Sequence, residues 1–401
     1  MEQHDKILRP EESESGFSLV ELIIYIALLG ILMAMVFGSF IPVMQSGSRQ
    51  WRIGETKIET GVGLNLLRTD LEHAGFGLPW EFPIGVTPSP YFEPLAPTAP
   101  TALADAPGAP NADPLNVPRA LASEDNSASS LNGSDYLVIR GMNVVFGATG
   151  QKWGWLGRDI NHSPLLQSLS DPALTSTDRV IVIRPEVDTG EYRQLVLDGT
   201  NYFAHYTVAD LTPFAPPPTP NDPKGVRYLL YSIDDIDPRR PFNRTDYYIN
   251  APTAANPQPA QCAPGTGTLV KATLNQANDN FTISPIVDCV ADFQVVYYLD
   301  TNGDGGWDTI TNASALNGLT AQQIREQVKS IRCYILTHEG GVDRTYTYPN
   351  ALINVGDIDT DGTTLLAGRM FDVSTLPGIG TTWANYRWKV YGVVVTPQNL
   401  Q

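Results

Sequence analysis

The chain has 401 residues, 42% of them hydrophobic and 17% charged, with a formal net charge of −17. That length allows one large domain or two smaller ones beyond an N-terminal segment. The acidic balance, with no Lys/Arg cluster, argues against nucleic-acid binding through phosphate contacts. Three cysteines are too few for a disulfide scaffold. The five histidines are scattered, and no HExxH, GxSxG or phosphate-binding glycine loop occurs, so the chain reads as a non-enzyme.

Met1–Ser15 is a polar leader in which Lys6 and Arg9 stand among acidic residues. From Gly16 to Pro42 the sequence is GFSLVELIIYIALLGILMAMVFGSFIP, and after Glu21 no charged residue appears until Arg49. Such a gap can cross a bilayer, which needs about 20 apolar residues. The entry is Gly-Phe-Ser-Leu-Val-Glu rather than a basic flank, and no Ala-x-Ala-like cleavage site follows the run. A carboxylate in a membrane helix costs roughly 2.5–3.5 kcal/mol at the centre and less near an end, so Glu21 calls for a partner. A cut after Gly16 would supply one, because Phe17 would then carry an α-ammonium four residues before Glu21. The first helical turns also favour a negative charge.

GFSLVE followed by LIIYIALLGILM resembles the class III signal of type IV prepilins and type II secretion pseudopilins. The resemblance implies that a dedicated peptidase cuts after Gly16 and methylates Phe17. It also implies that Glu21, Gly30 and Pro42 serve stem packing and assembly. LRTDLEHAGFG (Leu67–Gly77) and YRWKVYGVVVTPQNL (Tyr386–Leu400) are similar to the helix end and closing strand of PilW-type minor pilins, the latter with only Arg387 and Lys389 of a more Arg-rich strand. The implied layout is a leader at 1–16, a transmembrane stem half at 17–43, an amphipathic stem half at 44–78 and a β-rich periplasmic or extracellular head at 79–401. The implied role is a minor pilin for pilus initiation or the tip, anchored by a single pass in the inner membrane and later moved to the filament. Its expected partners are other minor and major pilins, prepilin peptidase, the inner-membrane assembly platform and, before assembly, lipid. The alternatives are a J-type minor pseudopilin of a type II secretion system and a pilus-tip adhesin or ligand-binding module.

From Met44 to Phe76 the apolar spacing predicts an amphipathic helix with Trp51, Ile58, Val62, Leu67, Leu71 and Ala74 as its buried stripe. Gly54, Gly61 and Gly63 each weaken it by about 1 kcal/mol relative to Ala, so packing must hold it. Gly75, Gly77 and Pro79 end it. Pro83–Asn132, Thr212–Pro223 and Asn250–Gly267 are Pro-rich or polar and are expected to be long loops. Strands are predicted at Asp135–Arg140, Arg179–Arg184, Arg193–Leu197, Arg227–Ile233, Val290–Leu299, Ser330–Thr337, Arg344–Tyr348 and Trp388–Thr396. A short helix capped by Thr320 is predicted at Thr320–Lys329. The fold class is α+β, a long N-terminal stem helix packed on a mostly antiparallel β head with long Pro-rich loops.

DTNGDGGWD places Asp300, Asn302, Asp304 and Asp308 at EF-hand offsets one, three, five and nine, with glycine at six. Hard oxygen donors at this spacing suit Ca²⁺, although position twelve is Thr311 rather than Glu. DIDTDG offers a second candidate set in Asp357, Asp359 and Asp361, with Gly368 at position twelve; the alternative for both is a β-turn. Asp234, Asp235 and Asp237 read as a solvated turn. Cys262 and Cys289 are the candidate disulfide, worth on the order of 3 kcal/mol for a loop of this size. Cys289–Cys333 is the open alternative, with Cys333 otherwise a buried thiol. KWGWLG (Lys152–Gly157) is expected to be a turn whose tryptophans pack on the sheet, the alternative being a sugar-stacking platform. The sequons at Asn132, Asn161, Asn243, Asn280 and Asn312 read as chance.

Overall fold

The computed structural model describes residues 18–82, 93, 103, 117–145, 147, 149–185, 193–218, 226–234, 237–362 and 364–400. The leader, Gly16 and Phe17, Asp235, residues 219–223 of the expected loop Thr212–Pro223 and most of 83–116 in the expected loop Pro83–Asn132 lie outside them, while Leu121–Glu124 in that second loop is a strand. Helix α1 spans Leu19–Glu72, and the chain divides within it into two compact units, residues up to Gly54 and residues from Glu55 onward.

In the first unit, Leu19–Gly38 is a 20-residue stretch of mean hydropathy 2.6, long and apolar enough to cross a membrane, with none of it buried in the chain. Its side chains are Leu, Ile, Val, Met and Phe on every face, so no stripe is left for a core.

Among its described residues the second unit holds sixteen strands. The larger sheet contains β1 (Leu121–Glu124), β2 (Tyr136–Gly141), β9 (Asn243–Asn250), β10 (Gly267–Leu274), β11 (Phe281–Leu299), β13 (Val328–Glu339) and β16 (Arg387–Val395) in that spatial order, with β12 (Thr309–Asn312) beside β11. A second sheet runs β4 (Pro164–Ser168), β3 (Trp153–Arg158), β8 (Tyr228–Asp234), β5 (Arg179–Pro185) and β6 (Arg193–Leu195), with β7 (Phe203–His205) on β5. Strands β14 (Leu352–Ile358) and β15 (Leu365–Asp372) form a hairpin of their own. Among the described residues every strand ladder is antiparallel, as expected of the head, and the strands form three sheets.

Period-2 alternation explains why these layers stack. In β5, Ile181 and Ile183 face the large core shared with Leu137, Phe293 and Ile335, while Val180 and Val182 face a separate cluster with Leu156, Leu211 and Leu230. The short helix α2 (Val208–Leu211) closes that outer cluster through Leu211. The β14–β15 hairpin covers the opposite side of the larger sheet through Ile353, Val355 and Phe371, against Leu336 and Trp388.

The α1 segment within this unit joins the large core through Leu67, Leu71 and the following Ala74. The expected stripe fails at its N-terminal end. Ile58 and Val62 are 71% and 68% exposed, and Thr60 and Gly63 face inward instead. Gly63 is needed there because a Cβ would fall 2.3 Å from the Ile286 carbonyl oxygen. Apolar spacing alone cannot choose between two adjacent faces when one is made of small residues. Trp51's side chain is outside the description. The helix ends at Glu72; Gly75 follows at φ 80°, its N–H donating to the Arg140 carbonyl at 2.8 Å.

Other differences have local causes. Arg344–Tyr348 is not a strand: Tyr348 N–H donates to the Ala384 carbonyl at 2.6 Å and the Tyr346 ring lies under Arg387, so a loop rather than a ladder takes its polar groups. Lys152–Gly157 is mostly strand β3 rather than a turn, and Gly154 lets β4 approach so closely that a Cβ would meet the Gln167 carbonyl at 2.2 Å. Helix α3 (Ala321–Gln327) carries a full capping box between Thr320 and Gln323.

Candidate assembly interface

The first unit presents one ionisable group at the head of its apolar run. Ser18 and Glu21 bond reciprocally: Ser18 N–H donates to Glu21 Oε2 at 3.3 Å, and Glu21 N–H donates to Ser18 Oγ at 3.3 Å. This is a capping box, and it turns the Glu21 carboxylate back toward the helix start, where orphan N–H groups and the helix dipole favour it. Ser-x-x-Glu was readable in SLVE. Gly30 lies in the exposed helix with nothing within 4 Å of the place a Cβ would take. Pro42 also falls within α1.

In the second unit, Asp70 anchors its helix segment to the sheet. Lys271 Nζ on β10 sits 2.6 Å from Asp70 Oδ2, and Tyr247 Oη on β9 donates to the same oxygen at 2.6 Å. All three side chains are buried. Burial raises the Asp70 carboxyl above its ordinary value, while Lys271 and Tyr247 oppose that shift. In the sequence Asp70 is one of the charges that lie between the stripe residues of this segment. Its only sequence signal was a carboxylate on the apolar side, between Leu67 and Leu71.

A second buried network holds one point of the Pro-rich region. The Glu93 carboxylate accepts from Arg140 Nε at 2.8 Å and Nη2 at 3.0 Å and pairs with Arg244 Nη1 at 3.1 Å. Arg244 also forms a two-point pair with Asp246, which accepts from Tyr136 Oη at 2.8 Å. These pairings let β9, NRTDYYIN with its charges, be an inner strand of the sheet, although its polarity reads as exposed.

The acidic loops separate. In Asp300–Asp308 the Asp300 carboxylate accepts from the N–H groups of Gly303 (2.7 Å) and Gly305 (2.9 Å) and lies 3.4 Å from Lys329 Nζ. Asp308 accepts from the Thr301 and Asn302 N–H groups and from the hydroxyls of Thr301 and Thr309. Those two hydroxyls, with the backbone donors, hold the Asp308 carboxyl down to about 2. Burial works against it at Asp300, but the Gly303 and Gly305 donors and Lys329 bring that carboxyl below its ordinary value. Asn302 and Asp304 bond to each other. In the other loop, Asp357 lies in β14 with its carboxylate on Arg332 Nη1 (2.8 Å), Tyr298 Oη and Tyr334 Oη. Asp359 and Asp361 lie in the hairpin turn, where Asp359 accepts from Thr364 N–H. The structure therefore does not bring Asp357 together with the turn aspartates. Among the described residues, no group of three or more His, Cys, Asp or Glu side chains is placed to hold a metal ion.

Cys262 and Cys289 are bonded, with Cα atoms 4.8 Å apart, and Cys333 is a buried free thiol between Val295 and Val393. Beside the bridge, Ala263 N–H donates to His338 Nε2 at 2.9 Å, while His338 Nδ1 lies 2.9 Å from the Gly340 carbonyl. Nε2 accepts, so the ring is neutral with its hydrogen on Nδ1. Burial pushes its pKa down to about 4 against the opposing Gly340 bond. The Trp155 ring in β3 is covered by the Arg227 guanidinium at 4.4 Å. Asn132, Asn243 and Asn312 use their side-chain amides in internal hydrogen bonds.

Two family models match the chain. Residues 13–37 match the prokaryotic N-terminal methylation motif. Residues 246–396, from within β9 to just past β16, match the type IV pilus-assembly protein W. No curated protein and no solved structure matches. The methylation motif falls on the capped, acid-bearing start of an apolar helix that fits a membrane anchor. The pilus-assembly match takes in six of the eight strands of the larger sheet in whole or in part, including β10 with Lys271, the partner of Asp70. Together these two matches support a type IV minor pilin of the PilW type.

Proposed function

We propose that this minor pilin is a non-catalytic subunit, made as a membrane-anchored precursor, cut by prepilin peptidase between Gly16 and Phe17 and methylated on Phe17. It then enters an initiating or tip complex of the pilus. In this reading the head is periplasmic before assembly and lies on the filament afterwards, among other minor and major pilins, with the inner-membrane platform delivering it. The observation that carries the reading is Glu21, the one carboxylate of a 20-residue span that buries none of its apolar surface. Burying that surface among neighbouring stems removes it from lipid, and the capped carboxylate meets the new Phe17 ammonium of a neighbour. A charge-assisted pair in such surroundings outweighs a solvated one.

N-terminal sequencing and mass spectrometry of the membrane-extracted protein test this. The expected N-terminus is methylated Phe17; a chain still starting at Met1 in cells with working filaments would overturn the processing step. Glu21→Ala should reduce incorporation into filaments while leaving the precursor in the membrane.

We further propose the Asp300–Asp308 loop as a Ca²⁺ site. The spacing of Asp300, Asn302, Asp304 and Asp308 and the lowered carboxyls of Asp300 and Asp308 support it, the ion replacing the hydrogen bonds that their oxygens now accept within the loop. Ca²⁺ bound there would tie down an exposed loop. Calorimetry with millimolar Ca²⁺ should show heat and a raised melting temperature, both lost in Asp308→Asn; absence of both in the parent protein removes the proposal.

A further inference from the structure

The edges of the sheets differ in how they are protected. In the larger sheet, β1 is only four residues long and almost wholly buried. In the second sheet, β4 opens with Pro164, and β6 and β7 have three residues each. The other edge of the larger sheet is β16. It runs nine residues in unbroken register with β13, from Arg387 against Glu339 to Val395 against Ile331. It contains no proline or bulge. Among the described residues, none of its backbone N–H or C=O groups bonds outward to another main-chain group, and the one side chain on it is Ser330 Oγ at the Val395 carbonyl. Alternate residues of an edge strand aim both polar groups away from the sheet, so β16 offers a row of unused donors and acceptors.

We propose that β16 receives an extended strand from a different subunit of the same assembly, lengthening the larger sheet by one. Backbone hydrogen bonds would supply the affinity and alternate side chains the selectivity. The two faces of β16 specify the guest. Arg387, Lys389 and Tyr391 share one face, with Arg387 and Lys389 partly exposed although already paired with Asp343 and Glu339. Val390, Gly392 and Val394 share the other, and Val394 is 50% exposed. The guest strand therefore carries acidic or hydrogen-bonding residues beside Arg387 and Lys389 and β-branched or aliphatic residues beside Val390 and Val394. β16 itself thus carries two half-exposed cations, each paired within the head, on one face and apolar residues on the other. A second copy of this chain does not fit the role. Two β16 edges joined antiparallel are related by a two-fold axis through the sheet, which would run the two helix segments 55–72 in opposite directions. Subunits entering from one membrane share one direction. The proposal rests on the pilin reading above, and it names the surface by which the head would meet a neighbour.

The test uses the full chain in filament-bearing cells, with a photo-crosslinking residue at position 394 and, as a control, at exposed Val208 in helix α2. The 394 probe should give a discrete product mapping to an extended segment of another filament subunit, and the 208 probe should not. Gly392→Lys with Val394→Lys, both at exposed positions where a side chain has room, should cut filament incorporation at least tenfold without changing the level of chain in the membrane. Hydrogen exchange at Arg387–Val395 should slow on assembly, a readout independent of those variants. Exchange that does not slow, or a 394 product that maps to a second copy of this chain, overturns the proposal. If that happens while Glu21→Ala still blocks assembly, the pilin reading stands without the edge; if Glu21→Ala is silent too, the pilin reading itself fails.

Discussion

Asp70 shows how much one buried side chain controls. Its carboxylate takes an ammonium and a phenol from two different strands, and removing it strands a buried charge on Lys271. Breaking such a pair from one side costs about 3–5 kcal/mol, more than a surface pair by a wide margin. Asp70→Ala should lower the unfolding free energy by that amount in urea titration. Tyr247→Phe, which removes one hydrogen bond to a charged acceptor, should cost about 1.5–3 kcal/mol. His338 makes a different prediction. Its pKa is about 4 in the folded chain against an ordinary 6.5, so the unfolded chain binds the proton first as pH falls. The stability from this ring is complete above pH 6.5 and drains as pH drops through 4, by up to about 3 kcal/mol. Melting curves between pH 7 and pH 4 should show this slope, flattened in His338→Gln.

Among the elements, the β9–β10 connection depends on the covalent bridge. Residues 250–266 form a long polar excursion between two central strands, and Cys262–Cys289 ties it to β11. A closed loop of this size contributes on the order of 3 kcal/mol by restricting the unfolded chain. Reduction with dithiothreitol should lower the melting temperature accordingly and accelerate exchange at Ala263, whose N–H bonds to His338. Cys333, buried between two strands, should resist alkylation until the sheet opens. At the same scale, the β14–β15 hairpin is held by Asp357 on Arg332 and two tyrosines. In DIDTDG the Asp357 carboxylate is buried in β14, and Asp359 and Asp361 follow it in the turn. DIDTDG did not separate a cation loop from a turn because both need Asp and Gly at the same spacing.

For the whole molecule, the two units do opposite things with apolar surface. Residues 19–38 leave all of theirs uncovered, a state that only lipid or other helices can satisfy. The unit from Glu55 onward buries a large core between its two main sheets and under α1. An uncovered apolar span on a chain with a separately packed head fits a membrane-anchored protein. That anchoring makes N-terminal processing the decisive whole-molecule measurement.

The sequence by itself determined the apolar span, its acid-bearing entry, the capped helix at Thr320 and most of the strands that alternate cleanly, such as β5 and β13. These are local signals, written in period and punctuation. Only the tertiary structure decided which face of α1 is buried, because Gly63 and Thr60 fit against the sheet where Ile58 and Val62 do not. It also decided that β9 is central, since its charges are buried by partners far away in the chain, and that Asp70 is an anchor rather than a solvated charge. Pairing between distant residues cancels the desolvation cost that makes a charge look exposed, and no window of sequence contains both partners.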